Sequence, residues 1–459
     1  MSDGLPLPRR VWAIFAISFG NTLTTVDGSI VNVALPTIAQ DLRVDNSAVV
    51  LLVTVYQLIM VMVLLPMANL GDRIGHRNLY KMGLLLFTGG ALLAFFAKSL
   101  PFLIIVRAIQ AIGAAATLSV SAAMLRSIYP ASQLGRGLGV NSVIVASSAA
   151  LAPTVGGLIL TVASWPWIFA VAVPLGLISM TFLNALPEPE PHDKPFDVFG
   201  AALCATTFGL VIAGAQSAVQ GDSPVISGAI IVAGLAIGHQ FVRRELNVSR
   251  PILPVDLLAE PTFALSALAG FIAFAATVTF TLWLPFELQH HYGFTPPEIG
   301  AILAPWPLTF AIVSPLSGWL SDRIPAGLLG SVGLMVAACA LLLFTMLPAD
   351  PTYFDIVWRI VLLGVGFGFF FSPNNRLIIG SVPIERAAAA GGVVTTVRSL
   401  GQTSGATLVS VLLATSLGAG AAPAVVAAGL AVIGAICSAV RLRPAFRKPS
   451  PEELEEPLP

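Results

Sequence analysis

Charge is scarce in this sequence. Of 459 residues only 10% are Asp, Glu, Lys or Arg, while 56% are hydrophobic. A soluble domain is about a quarter charged, so the chain lacks the polar surface that water requires. Its 23 basic and 23 acidic residues cancel, which leaves no electrostatic footprint for nucleic acid. The three cysteines, Cys204, Cys339 and Cys437, all lie in apolar stretches and supply neither a disulfide framework nor a metal-ligand spacing. Histidine is rare too: of His76, His192, His239, His290 and His291, only the last two are neighbours. A membrane-embedded enzyme would need His, Asp or Glu gathered at one face, so catalysis is not expected. No GxxxxGKS/T string occurs, which excludes a P-loop for ATP, and no cofactor or metal is expected. Strand-like alternation is absent as well, which argues against a membrane barrel.

What the sequence has in abundance is long apolar runs. A helical span needs about 20 such residues. Fourteen runs qualify: 11–35, 48–70, 79–97, 101–125, 138–162, 166–186, 198–216, 224–242, 263–287, 298–320, 328–347, 354–373, 391–416 and 423–440. In hydrocarbon only a helix satisfies its own backbone, so an all-α membrane protein with fourteen spans is expected. The polar stretch 1–10 shows no small-residue cleavage site, so the first run reads as a span and not as a removed signal. Lys and Arg set the orientation. With the N-terminus in the cytoplasm, eighteen of the 23 basic residues fall on the cytoplasmic side, two (Arg43 and Lys98) fall outside, and Arg107, Arg359 and Arg398 lie within spans. Both termini are then cytoplasmic, with residues 441–459 a disordered, charged and Pro-rich tail.

The chain repeats at an offset near 250 residues. Leu70-Gly71-Asp72-Arg73-Ile74 returns as Leu320-Ser321-Asp322-Arg323-Ile324, the Phe102/Arg107 pair as Phe354/Arg359, and Arg136 as Arg386. Six helices (11–186), an insert carrying two more (187–262) and six again (263–440) give this spacing. Two parallel helical bundles are the architecture of a carrier whose halves rock about a midplane site.

Several segments resemble the major facilitator superfamily, and within it the fourteen-span drug:proton antiporter branch. Asp27-Gly-Ser-Ile-Val-Asn32-Val-Ala-Leu-Pro36 resembles that branch's first-helix signature. Ala68-Asn-Leu-Gly-Asp72-Arg73-Ile-Gly75-His76-Arg77 resembles the loop motif between helices 2 and 3, with Ala68 and His76 departing from the usual Gly and Arg. Arg107-Ala-Ile-Gln110-Ala-Ile-Gly113 resembles the fourth-helix arginine motif, and Ser148-Ala-Ala-Leu-Ala152-Pro153-Thr-Val-Gly156-Gly157 the fifth-helix antiporter motif. Trp165-Pro-Trp167-Ile-Phe169 resembles a sixth-helix marker of the branch. The resemblance implies a major-facilitator-type fold in a bacterial inner membrane. It implies a monomer that exchanges protons for a small, lipophilic or cationic compound by alternating access. An importer or metabolite exporter on the same fold is the alternative.

Individual residues carry the chemistry of that expectation. Asp27 is the only carboxylate well within a span, and an ionisable group there is functional by default. It is a candidate to bind and release protons. Arg107 is its natural electrostatic partner, and Glu287 at the end of the ninth span is a second proton site or a lure for cations. Glu287, His290 and His291 share i, i+3, i+4 spacing, but the stretch ends in a Gly-Phe-Thr-Pro-Pro loop and no metal is expected. Asp72, Arg73, Gly75 and Arg77, with Asp322 and Arg323 in the repeat, are candidate gating residues, since loop-to-helix charge pairs can hold one conformation shut. Pro153, Gly156 and Gly157 carry the antiporter motif. Asn21, Thr25, Asn32, Gln110, Asn374, Asn375, Arg398 and Gln402 are polar positions in or at the ends of spans, and so candidates to line a cavity or join helices. The expected partners are protons, a small-molecule substrate and the lipid bilayer.

Overall fold

A computed structural model describes residues 4–130, 134–187, 197–219, 223–248, 255–321, 323–382, 387–415 and 420–442. The described elements are helices: α1 (Leu7–Leu42), α2 (Asn46–Ile74), α3 (His76–Phe95), α4 (Leu100–Ile128), α5 (Leu134–Val162), α6 (Pro166–Ala185), α7 (Val198–Val219), α8 (Pro224–Glu245), α9 (Pro261–His290), α10 (Pro296–Leu320), α11 (Ala326–Phe344), α12 (Tyr353–Gly380), α13 (Ala387–Ala414) and α14 (Ala422–Val440). Their starts follow ordinary helix chemistry. Proline opens α8, α9 and α10, where its missing N–H costs nothing. Thr352 and Asp355 cap each other's backbone N–H groups at the start of α12. Gly75, at φ 90°, is the single-residue link between α2 and α3, a backbone conformation that a side chain would strain.

Among the described residues twelve of these helices are long and apolar enough to cross a membrane, two short of the fourteen expected from the sequence. The pair α7 and α8 is among the twelve. Of α5, Ser147–Val162 counts as a shorter apolar helix, and α13 is not among the twelve. Both helices reach across to the other group, α5 through Thr154 and α13 through Ser410.

Helices α1–α6 pack together, as do α9–α14, with α7 and α8 paired beside them. The ends of α1 and α9 meet through Gln40 and His290, so these two helices run parallel. The start of α1 joins the ends of α4 and α6 through Leu5 and Arg9, and the end of α14 joins the start of α9 through Arg441. Both described chain ends therefore lie on one face. At the opposite, far face a single apolar core runs from Ile30, Leu35 and Leu52 across to Phe280, Trp283 and Ile299. At the terminus-bearing face the core splits. One part belongs to α1–α6, around Ile17, Tyr80 and Val120. The other belongs to the last six helices, around Phe263, Ile378 and Val393. Among the described residues burial thus fastens the two groups on the far face, and a cleft between them parts toward the termini.

Candidate functional site

The charged centre lies on α1 and α4. Asp27 is the twenty-first residue of α1, roughly 30 Å along a helix that rises 1.5 Å per residue. The Arg107 Nη1 donates to Asp27 Oδ2 at 2.6 Å and to Gln110 Oε1 at 3.0 Å. Both side chains of the ion pair are 1% exposed. The guanidinium lies 4.2 Å from the Tyr56 ring centroid on α2 and 5.7 Å from that of Phe169 on α6. Four elements thus converge on one cation, which burial forces: an unpaired guanidinium there would be very costly, and aromatic faces add cation–π attraction. The network is not saturated. Asp27 Oδ1, Arg107 Nε, Gln110 Nε2 and the Tyr56 hydroxyl are buried without a hydrogen-bond partner. Sequence reasoning brought Asp27 and Arg107 together but missed Tyr56, because an aromatic in an apolar run carries no signal of its own, and met Phe169 only as part of the sixth-helix marker.

The polar stripe of α1 divides. Asn21 is buried and accepts from Ser121 on α4 at 3.2 Å, so it ties two helices together. Thr25 and Asn32 are half-buried, and Asn32 Oδ1 has no partner. In the last six helices Asn374 joins helices. It is 1% exposed, donates to the Ser266 carbonyl at 3.1 Å and accepts from Arg441 at 2.7 Å, joining α9, α12 and α14. Burial and desolvation hold Arg441, just beyond α14, down to a pKa of about 10. Asn375 and Gln402 are half-buried, and Arg398 is exposed.

The expected gating loop lies at the junction of α2 and α3. Asp72 Oδ1 lies 3.1 Å from His76 Nε2, one turn away. Arg77 donates to Asn184 at the end of α6 at 2.9 Å, within its own group of helices. Arg73 is exposed. In the repeat, Arg323 lies 4.5 Å over the Trp319 ring, and Asp322 falls outside the described residues, as does the tail from 443 onward.

Pro153 and Gly157 meet the opposite group, and Gly156 meets α1 in their own. A Cβ on Gly157 would come within 2.7 Å of the Pro296 carbonyl oxygen on α10, and one on Gly156 within 2.7 Å of Ile30 on α1. Gly300 answers from α10, where a Cβ would lie 2.4 Å from the Pro153 carbonyl oxygen. Backbones therefore touch at this seam, and glycine is what lets them. Thr154 donates to the Gly300 carbonyl at 3.4 Å, and Ser410 on α13 to the Ser47 carbonyl at 3.2 Å. With Gln40 and His290, these bonds between the two groups all sit at the far face.

Glu287 is half-buried near the far end of α9 and accepts from the Gly420 N–H at 3.3 Å. Both ring nitrogens of His290 have partners, Gln40 and the Phe286 carbonyl. An aromatic panel in the last six helices had no counterpart among the sequence motifs. Phe274 stacks on Phe371 at 4.2 Å, and Phe310 and Phe367 lie 5.9 and 5.7 Å from Phe371.

Comparison with known proteins places this geometry in a family. The profile of the Major Facilitator Superfamily matches residues 17–406. The transporter YebQ of Escherichia coli (strain K12), itself uncharacterised, is 43% identical over 96% of this chain and 97% of its own. The riboflavin transporter RibZ of Clostridioides difficile (strain 630) is 28% identical over 89% and 90%. The multidrug efflux pump LfrA of Mycolicibacterium smegmatis is 28% identical over 87% and 80%. A bacterial homologue of the human lysosomal transporter Spinster, in an inward-facing and unoccupied conformation, superposes with TM-score 0.69 at 16% identity over 95% and 97% of the two chains.

Proposed function

Because the chain belongs to the Major Facilitator Superfamily, we propose that it is a proton-coupled secondary transporter that exports small lipophilic compounds by alternating access. The relatives and the fold are transporters and not enzymes. The observation that carries the coupling is the Asp27–Arg107 pair, 2.6 Å long, buried, and left with unpartnered atoms on both sides. A proton on Asp27 cancels the charge that holds Arg107. The guanidinium cannot neutralise itself, so it must find new partners, and Gln110 and the Tyr56 ring are beside it. Proton binding thereby becomes a change of helix contacts between α1, α2 and α4.

The excess of Lys and Arg near the termini supports a cytoplasmic assignment for that face, in an inner membrane. The structure then corresponds to a state closed outside. Asp72, near the junction of α2 and α3, forms a lock when the cytoplasmic side shuts. In this reading α5 and α13 also cross the bilayer, which gives fourteen. The protein works as a monomer. Glu287 speaks for cationic cargo at the far mouth, but the unpaired charge inside the cleft, Arg398, has the opposite sign.

The efflux pump among the relatives supports export, while the riboflavin carrier keeps a metabolite cargo in view. The test is purified protein in liposomes with an entrapped pH dye, challenged with a panel of lipophilic cations, anions and neutral compounds under an imposed pH gradient. Proton movement triggered by at least one compound, opposite in direction to the compound, is expected. Transport that proceeds without proton movement, or in the same direction as the proton, contradicts the proposal.

A further inference from the structure

The central cleft carries a cation with no partner beside a panel of aromatic rings. Arg398 is the twelfth residue of α13, about 18 Å from its start at 1.5 Å per residue and so near mid-membrane. It makes no hydrogen bond or ion pair to a described residue. Among the described residues of α13 it is the only exposed one before Ala414. An unpaired guanidinium facing hydrocarbon at that depth would be prohibitively costly, so its exposure is to the water of the cleft. Helix geometry agrees. Gly401 and Gly405 on α13 abut Phe271 and Ala275 of α9, and Ser410 reaches Ser47 of the first group. Arg398 and Gln402, a turn apart, project between those two contacts and away from Leu400 and Val411.

The aromatic panel adjoins them. A Cβ on Gly401 would lie 2.8 Å from that of Phe274. Phe274 is half-buried on a helix with almost no exposed residues, so its open side also faces the cleft. Phe310 lies on the side of α10 opposite Leu308, Ile312 and Leu316, which are exposed. Asp27 and Arg107 are neutral as a pair. Beside Phe274 and Phe310 the described residues of the cleft therefore offer flat π-faces and the positive charge of Arg398.

We propose that this wall is a binding site for a small, flat aromatic compound bearing an anionic substituent, the ring against Phe274 and Phe310 and the anion on Arg398, with Gln402 as a further donor. The proposal rests on the cleft being the transport route, as in the function proposed above, but not on proton coupling. An aromatic face binds any such ring, whereas a charged hydrogen bond in a partly dehydrated cleft discriminates by charge.

The experiment is equilibrium dialysis of the purified full chain in detergent, without a gradient, against 2-naphthoate, 2-naphthylmethanol and 2-naphthylmethylammonium. Wild type is expected to bind the carboxylate about tenfold tighter than the ammonium, the size of one charge-assisted hydrogen bond. Arg398→Gln should abolish that preference and Arg398→Lys should retain most of it. Phe274→Leu should weaken all three while keeping their order. Equal or tighter binding of the ammonium by wild type, an undiminished preference in Arg398→Gln, or no binding of any of the three overturns the assignment. Loss of proton coupling in liposomes with this pattern intact would overturn the antiport proposal and leave the site standing.

Discussion

Replacing Asp27 with Asn leaves the Arg107 guanidinium buried against Tyr56 and Gln110 without a counter-charge. Breaking a buried pair on one side costs roughly 3–5 kcal/mol, while replacing both partners by neutral groups is far milder. Asp27→Asn and Arg107→Gln should therefore each lower the melting temperature in detergent, and the double variant should recover most of the loss. Additive losses in that double-mutant cycle would mean that the two charges do not depend on each other. Asp27 and Arg107 were legible in the sequence because charge inside an apolar run stands out. Asn374 was legible only as a polar residue at a span end, open to lining a cavity or joining helices, and it is Arg441 and Ser266 closing on it that separate the two. Phe274 and Phe371 were silent because aromatics are ordinary in spans, and only packing distinguishes a ring facing a cleft from one facing lipid.

At the scale of elements, the close approach of α5 to α10 depends on Gly157, where even a methyl would meet the Pro296 carbonyl. Gly157→Val should disfavour the far-face seal and raise the rate at which an impermeant thiol reagent labels a cysteine placed in the cleft from the outside. Unchanged labelling would show that the seal does not rest on this contact. The hairpin of α7 and α8 has its own clasp, with Arg244 bonding both Asp197 oxygens at 2.6 and 2.8 Å. Arg244 holds the Asp197 carboxyl below the usual carboxylate range. A depressed folded-state pKa means the clasp stabilises above the unfolded value of about 3.9 and is lost as pH falls through the lower folded value. The stability difference between wild type and Asp197→Asn should accordingly be constant near neutrality and shrink below about pH 4. A difference that grows on acidification runs against that sign. These elements show where sequence legibility ends. Apolar length revealed the helices facing lipid, α7 and α8 included. The two remaining runs, α5 and α13, are not among the twelve, and contacts rather than apolar length set them apart, since both reach the other group of helices.

Across the whole molecule, one core joins the two groups at the far face and two cores keep them apart at the other. The 250-residue repeat pointed to two similar groups, but no sequence pattern says which face is shut. A cysteine pair at Ser47 and Ser410, whose contact spans the seam, tests that the seal must open. In a background lacking Cys204, Cys339 and Cys437, oxidation should stop transport and reduction restore it. Transport by the crosslinked protein would exclude rocking about this seam. The role of Asp27 as the link between proton and cargo is tested most directly by comparing two modes of transport in the same liposomes. Asp27→Asn should still exchange labelled for unlabelled substrate at equilibrium, yet fail to drive substrate against its gradient when a pH gradient is imposed. Full pH-driven accumulation by Asp27→Asn would contradict the coupling role outright.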